Sequence, residues 1–582
     1  MSTVDATADL EGESIDSDER SLLVRVRENP APATTWLLVG VVLLVLELGH
    51  WLGGILAIGS AIRFALSGVA AVPGWFGSNV ADSYGTIAGA LVADTVAIAM
   101  LFVVASLLCW YVLPWRIIDL VGYASSRRAE SYVERILVTV VLTVGAAVLA
   151  FTPLGSVVHT EVGATATILE MLSSSLPTLT GRETIPNEGY RSPDGGWEGT
   201  FLGLSPAWAW AIRSILVVLY AFALLVWLWM GYITYRNHYR TLDWTPMDDT
   251  VRRFRHHYWG LFGLFVVVLF VVMAVWAPVV APAPVEYNVY EQWTESAEFQ
   301  YLDENGEVAT VTHGQANIRS QSDGQNTVGP MSYDDFDRFA PLGTTHNGQD
   351  MLTNLAFGAR TSLIIGLTAI GLGGAIALVL SLITAYYKGV IDILTVVTTD
   401  TVIAIPAFLL VILLSVSLGE HPVSEPLDGG LLLALIIGFA YAPGMWRAIR
   451  GPSLQVAEEE WVDAAKSYGQ SPQSIMRKHM APYVFVYLLI YASLLLGSVI
   501  IVVAALSFLG LGINSPTPEW GRLIDAGSTY VSTSSWHVAT ISGLMIVFLV
   551  TAFNALGDGI RDAIDPESDI GEDADAIGGG GG

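Results

Sequence analysis

The sequence predicts an all-α integral membrane protein of about ten transmembrane helices, with a small β-containing insert outside the bilayer. Three observations carry that expectation. Hydrophobic residues make up 53% of the 582 and charged ones only 14%, against about a quarter charged in a soluble domain. The apolar residues fall into separate runs of about 20, the length a helix needs to span hydrocarbon. Those runs do not alternate polar and apolar positions, which excludes an outer-membrane barrel.

The ten runs lie at 36–58, 88–113, 136–158, 209–233, 258–280, 361–385, 394–418, 429–446, 484–508 and 537–556. Each should be helical, because hydrocarbon offers no partner to an unpaired amide or carbonyl. A shorter apolar stretch, 64–76, is interrupted by Pro73 and reads as re-entrant or interfacial. Placing the N-terminus inside puts 19 of the 27 Lys and Arg in inner segments and 7 outside, with Arg213 near a span end. This bias sets both termini in the cytoplasm. Two outer loops are long, 159–208 and 281–360, and the second holds a hairpin pattern around Asp303, Glu304, Asn305 and Gly306. That hairpin fits a lid, a docking surface or plain loop decoration.

Charge is lopsided, with 54 acidic against 27 basic residues. Eight acids lie in 1–35, twelve in 281–360 and eight in 557–582. Acidic solvated faces of this kind suit high salt, and no basic stripe exists to neutralise nucleic-acid phosphates. Cys109 is the only cysteine, within an apolar run, so it packs as a small apolar side chain and no intrachain disulfide is possible. The acidic residues 1–35 and the tail 567–582, ending in Gly578–Gly582, read as disordered, and no cleavable signal peptide is evident.

Few ionisable residues fall inside the runs. Glu47 lies mid-run with His50 one turn on, and a carboxyl in lipid is a candidate for proton relay or for pairing with another helix. Pairing is the preferred expectation. Asp94 should reach the interface, and Asp400 should orient the inner ends of helices. His256 and His257, in an arginine-rich loop, should meet lipid headgroups rather than a metal, since no spacing of His, Cys or carboxylates argues for a bound ion.

The most informative segment is 451–483, which joins the eighth and ninth runs. A helix through Asp463, Ala464 and Ala465 should end at Gly469, which tolerates positive φ. Ser471 and Pro472 then suit the N-cap and first turn of a second helix, which Pro482 should end. The two alanines would give that helix–turn–helix a small-residue face for close approach by another protein. An ordinary amphipathic connector would have the same outline.

The spacing of Asp463, Ala464, Ala465, Gly469 and Pro482 resembles the Glu-Ala-Ala loop of ABC importer permeases. Asp463 stands for the glutamate, and His479 follows Lys478 as in the peptide-type permeases. Met480, Ala481 and Tyr483 depart from the usual ending. Further segments agree in order. In 341–363 the resemblance is carried by Gly343, Asp350, Gly358 and Arg360, with Thr345 and Gln349 departing from the family's Asp and Arg. In 385–406 it is carried by Asp400 and Pro406, in 505–524 by Gly510, Gly512, Trp520 and Gly521, and in 552–566 by Asp558 and Asp562.

The resemblance covers 250–566 and implies a six-helix permease core of the dipeptide/oligopeptide importer type, with 281–340 as an insert and 451–483 as the ATPase-coupling loop. It implies a second homologous permease, two cytoplasmic ATPase subunits and an extracytoplasmic substrate-binding protein as partners. ATP would be used by the ATPase partners, since this chain has no Gly-x-x-x-x-Gly-Lys-Ser/Thr loop and is expected to bind no cofactor itself. Residues 36–235 would be an additional four-span region. A transporter or channel working alone is the rival reading, but it calls for inverted repeats or interrupted helices around a midplane site. Neither is evident in the sequence.

Overall fold

A computed structural model of the chain describes residues 22–111, 127–151, 167–168, 171, 173, 176, 178–241, 244–288, 297–303 and 305–564. Among them, seven helices are long and apolar enough to cross a membrane, and two sharply bent helix pairs raise the number to nine. The candidate at 136–158 is described only to Phe151, and the tail 567–582 lies outside the described residues.

The chain begins with helices α1 (Leu22–Glu28) and α2 (Pro30–Leu46), bent by 100°. Residues 22–35 are therefore largely helical rather than disordered. Tyr239 holds them: its hydroxyl donates to Asn29 O at 2.7 Å and accepts from Ala33 N at 3.0 Å, and its carbonyl accepts from Arg25. The run 36–58 is not one helix but breaks at Glu47, where α3 (Leu48–Tyr84) starts. The stretch 64–76 is no separate re-entrant segment, because α3 runs through Pro73 without a break. Helix α4 (Thr86–Tyr111) returns against it at short range, since a Cβ on Gly89 would stand 2.4 Å from Gly77 O. That packing supports the helix past the proline. Helix α5 (Arg127–Phe151) follows.

Helix α6 (Pro206–His238) clasps α2 by a reciprocal pair of tryptophans. Trp36 and Trp227 stack with centroids 4.6 Å apart, and each indole N–H donates to the other's carbonyl at 2.9 Å. Gly40 and Gly231 leave room for the two rings. Helix α7 (Pro246–His256), opened by a Thr245–Asp248 capping box, leads into α8 (Tyr258–Val275).

After α8 the chain builds a cap. It contains the hairpin β1 (Glu298–Leu302) and β2 (Val308–Thr312), in which Glu298 faces Thr312 and Leu302 faces Val308. Helix α9 (His313–Arg319) and a two-residue ladder, Ser332–Tyr333 with Phe339–Ala340, complete it. Residues 178–203, with their own small ladder Tyr190–Arg191 and Trp197–Glu198, join the same cap. Arg182 donates to the carbonyls of Pro278, Ala281 and Pro282 at 2.6–3.0 Å. The buried Arg213 of α6 donates to Ile185 O, Asn187 Oδ1 and Ala281 O. The two long loops are thus one structure.

Helix α10 (Met351–Tyr387) has 37 residues, about 55 Å at the usual rise. It runs from the cap to the opposite end of the bundle. Its main neighbour is α13 (Gly430–Ala457), and the two cross where Gly373 and Gly438 nearly touch: a Cβ on either would lie 2.8 Å from the other helix's backbone. Small residues at such a crossing let helices approach without a hydrophobic driving force. The run 394–418 is two helices, α11 (Gly389–Ala404) and α12 (Ala407–Ser417), bent by 81°. Pro406 explains the bend, since it lacks an N–H and drives Ile405 to an extended conformation, φ −81°, ψ 126°.

The remaining elements are α14 (Glu460–Ser467), α15 (Pro472–Ile475), α16 (Ala481–Phe508), α17 (Trp520–Ser528) and α18 (His537–Ile564). Gly521 meets α16 so closely that a Cβ would stand 1.9 Å from Ala504 O. Gly521→Ala should therefore destabilise the bundle by about 1–3 kcal/mol. A thermal-unfolding midpoint unchanged in detergent would contradict this contact.

Candidate coupling loop and solute path

Helix α13 continues beyond its apolar stretch and carries the loop away from the bundle. At Asp463 the second turn of α14 begins its exposed side, where the carboxylate pairs with Lys466 at 2.9 Å. Ala464 and Ala465 do not share a face. Consecutive helical positions are about 100° apart, and here Ala464 is exposed while Ala465 is buried. Ala465 packs with Val462, Ile475 and Met480 into a core that includes Trp446 and Ile449 of α13. The small-residue surface offered outward is Ala464, beside the exposed Trp461 and Tyr468.

Gly469 ends α14 as its sequence position suggests, at φ +70°. Gly469 N donates to Lys466 O at 2.9 Å and Gln470 N to Ala465 O at 3.2 Å, the paired bonds of a Schellman motif. Ser471 then caps α15, accepting from Ser474 N. Pro482 does not end this second helix. A π-helical turn, Met476–Met480, joins α15 to α16, and Pro482 sits in the first turn of α16. The proline's missing N–H is tolerated there, in a helix that the widened turn makes continuous. His479 Nε2 lies 3.0 Å from Gln470 Oε1 and ties the turn to the helix behind it.

Ion pairs bind this loop to the neighbouring helices. Lys388, between α10 and α11, reaches Glu458 at 2.9 Å. Arg450 grips Asp392 through two bonds, at 2.8 and 2.5 Å. Arg447 pairs with Asp400 and so joins α13 to α11. The partners of Glu458, Arg450 and Arg447 lie 47–70 residues away in sequence, and none was evident there beyond the charge at a span end. Asp562 pairs with His257 Nε2 at 3.2 Å, and His257 Nδ1 accepts from Gly260 N. His257 is therefore held by protein rather than free for lipid headgroups, while His256 bonds to Arg252 O. Asp558 is exposed nearby.

At the cap end, Gly343 and Asp350 bracket the start of α10. Gly343 has φ +85° and lies against His537, whose ring bonds to Thr344 O. Asp350 caps α10, with Oδ1 accepting from Thr353 N at 2.6 Å and from its hydroxyl at 2.7 Å. One turn and more along, Gly358 makes room for Trp520, whose indole donates to Leu355 O at 2.8 Å. Gly510, at φ +72°, and Gly512, close against Ser507, shape the turn that brings α17 back over α16. These family-matching residues form a packed joint, apart from Arg360, which lines a cavity of about 940 Å³ beside it. A second, largely apolar cavity of about 380 Å³ lies at the α11–α12 bend, between Ile405, Tyr441 and Tyr491.

Glu47 is fully buried at the α2–α3 break, and its Oε1 accepts from Thr180 N at 2.8 Å. Leu179 N donates to Leu46 O at 2.9 Å, so the loop closes the break as a pair. His50 stacks on Trp276 rather than bonding to Glu47. Asp94 and the free Cys109 are exposed and partly buried respectively. Among the described residues no group of three or more His, Cys, Asp or Glu could hold a metal.

Two family models match this region. Residues 377–569 match the binding-protein-dependent transport system inner membrane component, and residues 245–299 match the N-terminal TM domain of oligopeptide transport permease C. The chain carries the permease unit of an ABC importer. Glutathione transport system permease proteins GsiD of Escherichia coli O1:K1 and of Shigella dysenteriae serotype 1 are each 28% identical to it over 324 residues, covering 56% of this chain and 91% of the relative. Both family matches begin after residue 244, so helices α1 to α6 precede the matched permease.

Burial pushes the Asp350 carboxyl up to about 6, against the opposing effect of its two bonds from Thr353. The folded chain therefore keeps a proton there that the unfolded chain releases near the ordinary value of 3.8. That contribution to stability is full below about pH 4 and is lost as pH rises through 6. Asp350→Asn should flatten this decline in the thermal-unfolding midpoint between pH 4 and 7. An unchanged profile would place the carboxylate outside the titration.

Proposed function

We propose that this permease forms half of a translocation path for di- or oligopeptides or a related small solute such as glutathione. The permease assignment rests on the matched segments, and the match of residues 245–299 to oligopeptide transport permease C supports the peptide type. The finer reading concerns the partners. A second, homologous permease supplies the other half of the path, two ATPase subunits drive it with one docked on 451–483, and an external receptor delivers solute at the cap. ATP hydrolysis belongs to the ATPase partners, and this chain binds no cofactor of its own. The multi-pass chain lies in the cell membrane with both termini and the loop in the cytoplasm, which the arginine and lysine bias supports.

The observation that carries the coupling role is the mounting of α14. One side, at Val462 and Ala465, is fused to the core of α13 and α16, while the other, at Ala464, faces outward. A partner pressing on the outer side must move the inner one. Arg450–Asp392, Arg447–Asp400 and Lys388–Glu458 pass that displacement to α10 and α11. The bend at Pro406 joins α11 to α12 and is the place where the path would change shape. Closure of the ATPase dimer would thus swing these spans between inward- and outward-facing states.

Ala464→Trp adds bulk to an exposed position and should leave the unfolding midpoint unchanged. It should weaken co-purification of the ATPase roughly tenfold or more, as overpacking at a tight interface does. Deleting Asp463–Pro482 should release it entirely. Retention of a normally coupled ATPase without that segment would overturn the docking assignment.

A further inference from the structure

The 940 Å³ cavity at the cap end has an uneven distribution of charge. Three carboxylates line it, and Glu286 is exposed and within electrostatic reach of Arg182. Glu519 is buried at the start of α17 and accepts from Arg522 N at 3.0 Å. Asp525 lies within electrostatic reach of His346. Of the two arginines, Arg522 donates to Thr517 O at 3.1 Å. Arg360 differs: it is half-buried in the wall and makes no hydrogen bond or ion pair among the described residues.

An arginine left without an anion in a semi-enclosed site is unusual in any protein, because the guanidinium presents five donors that water reaches only in part. It is more so in a chain of net charge −27, where carboxylates are plentiful. The wall beside it is apolar. Phe357 and Ile364 flank Arg360 on α10, and Ala57 and Ile58 of α3 line the same cavity. Helix α3 lies outside both family matches, so the preceding region adds a side to the chamber. Apolar walls lower the local dielectric and strengthen a charged contact made inside it.

We propose that Arg360 receives an anionic group of the solute, a carboxylate of a small acid or peptide, in a chamber closed on one side by α3. The planar guanidinium suits a carboxylate bidentately. The proposal rests on the peptide reading only for the identity of the carboxylate's owner. Arg360 would act early in the path, at the cap end, before solute reaches the bend at Pro406.

The test uses the complete importer in proteoliposomes, with ATP-driven uptake of dialanine and of its C-terminal amide as probes. The wild type should favour the free acid. Arg360→Gln should raise KM for dialanine roughly tenfold or more, the usual size of a lost charged hydrogen bond, and leave the amide almost unaffected. Arg360→Lys should recover part of the preference. Co-purification of the second permease with Arg360→Gln separates solute binding from assembly, and its loss would make Arg360 an interface residue and overturn the proposal. Equal effects on acid and amide, or none, would overturn it too. Uptake of neither probe by the wild type would overturn the peptide reading and the carboxylate together, a result distinct from a selective defect.

Discussion

In hydrocarbon an amide or carbonyl without a partner costs several kcal/mol, and the shape of this protein follows from how it meets that demand where helices break. At Glu47 the break is closed from 133 residues away, by Thr180 N on the carboxylate, with Leu179 N on Leu46 O beside it. At Pro406 the missing donor lies where α12 begins, and Leu410 N takes the proline carbonyl at 3.0 Å. At Pro482 a π-helical turn keeps α15 and α16 continuous. At each of these places a backbone bond is made where the regular helix is interrupted. The first holds the cap, the second bends a span, and the third fixes the coupling loop to the helix that follows it.

Between these breaks, the bundle is assembled by close approach rather than by bulk. The α10–α13 crossing at Gly373 and Gly438 and the α16–α17 joint at Gly521 bring backbones almost into contact. Such contacts transmit displacement because they leave no slack for side chains to absorb. The coupling loop is continuous with this rigid part through Ala465, Ile475 and Met480. A push on the exposed side of α14 therefore reaches α10, whose far end, about 55 Å away, carries Asp350 and Arg360. Under the proposed coupling role, the cap and this loop are two ends of one lever.

The preceding helices are fastened to this lever in three ways. His50 of α3 stacks on Trp276, Arg213 secures α6 to the cap, and Trp75 of α3 stands edge-on to His421 at 4.6 Å. Whatever they contribute to transport, they share walls and hydrogen bonds with the permease rather than hanging from it by a linker. The two long outer loops, separate in the sequence, merge into one cap for the same reason. Arg182 and Arg213 each bridge residues about a hundred or fewer positions apart through backbone carbonyls, and such bonds leave no trace in side-chain pattern.

The sequence by itself determined the class and the motif. Apolar runs of spanning length are local, and so is the spacing of Asp463, Ala464, Ala465 and Gly469, because helix period and positive φ are properties of neighbours along the chain. The hairpin around Asp303 was legible for the same reason. What only the tertiary structure decided was which side each residue serves. Ala464 and Ala465 parted because α14 has a core behind it, and Glu47 found its partner in a loop 133 residues further along the chain. Arg360 was left without a hydrogen bond or ion pair among the described residues, although Glu286, Glu519 and Asp525 line its chamber. Those outcomes depend on surfaces brought together over tens to hundreds of residues, where backbone carbonyls and packed rings do the recognising and sequence spacing carries no signal.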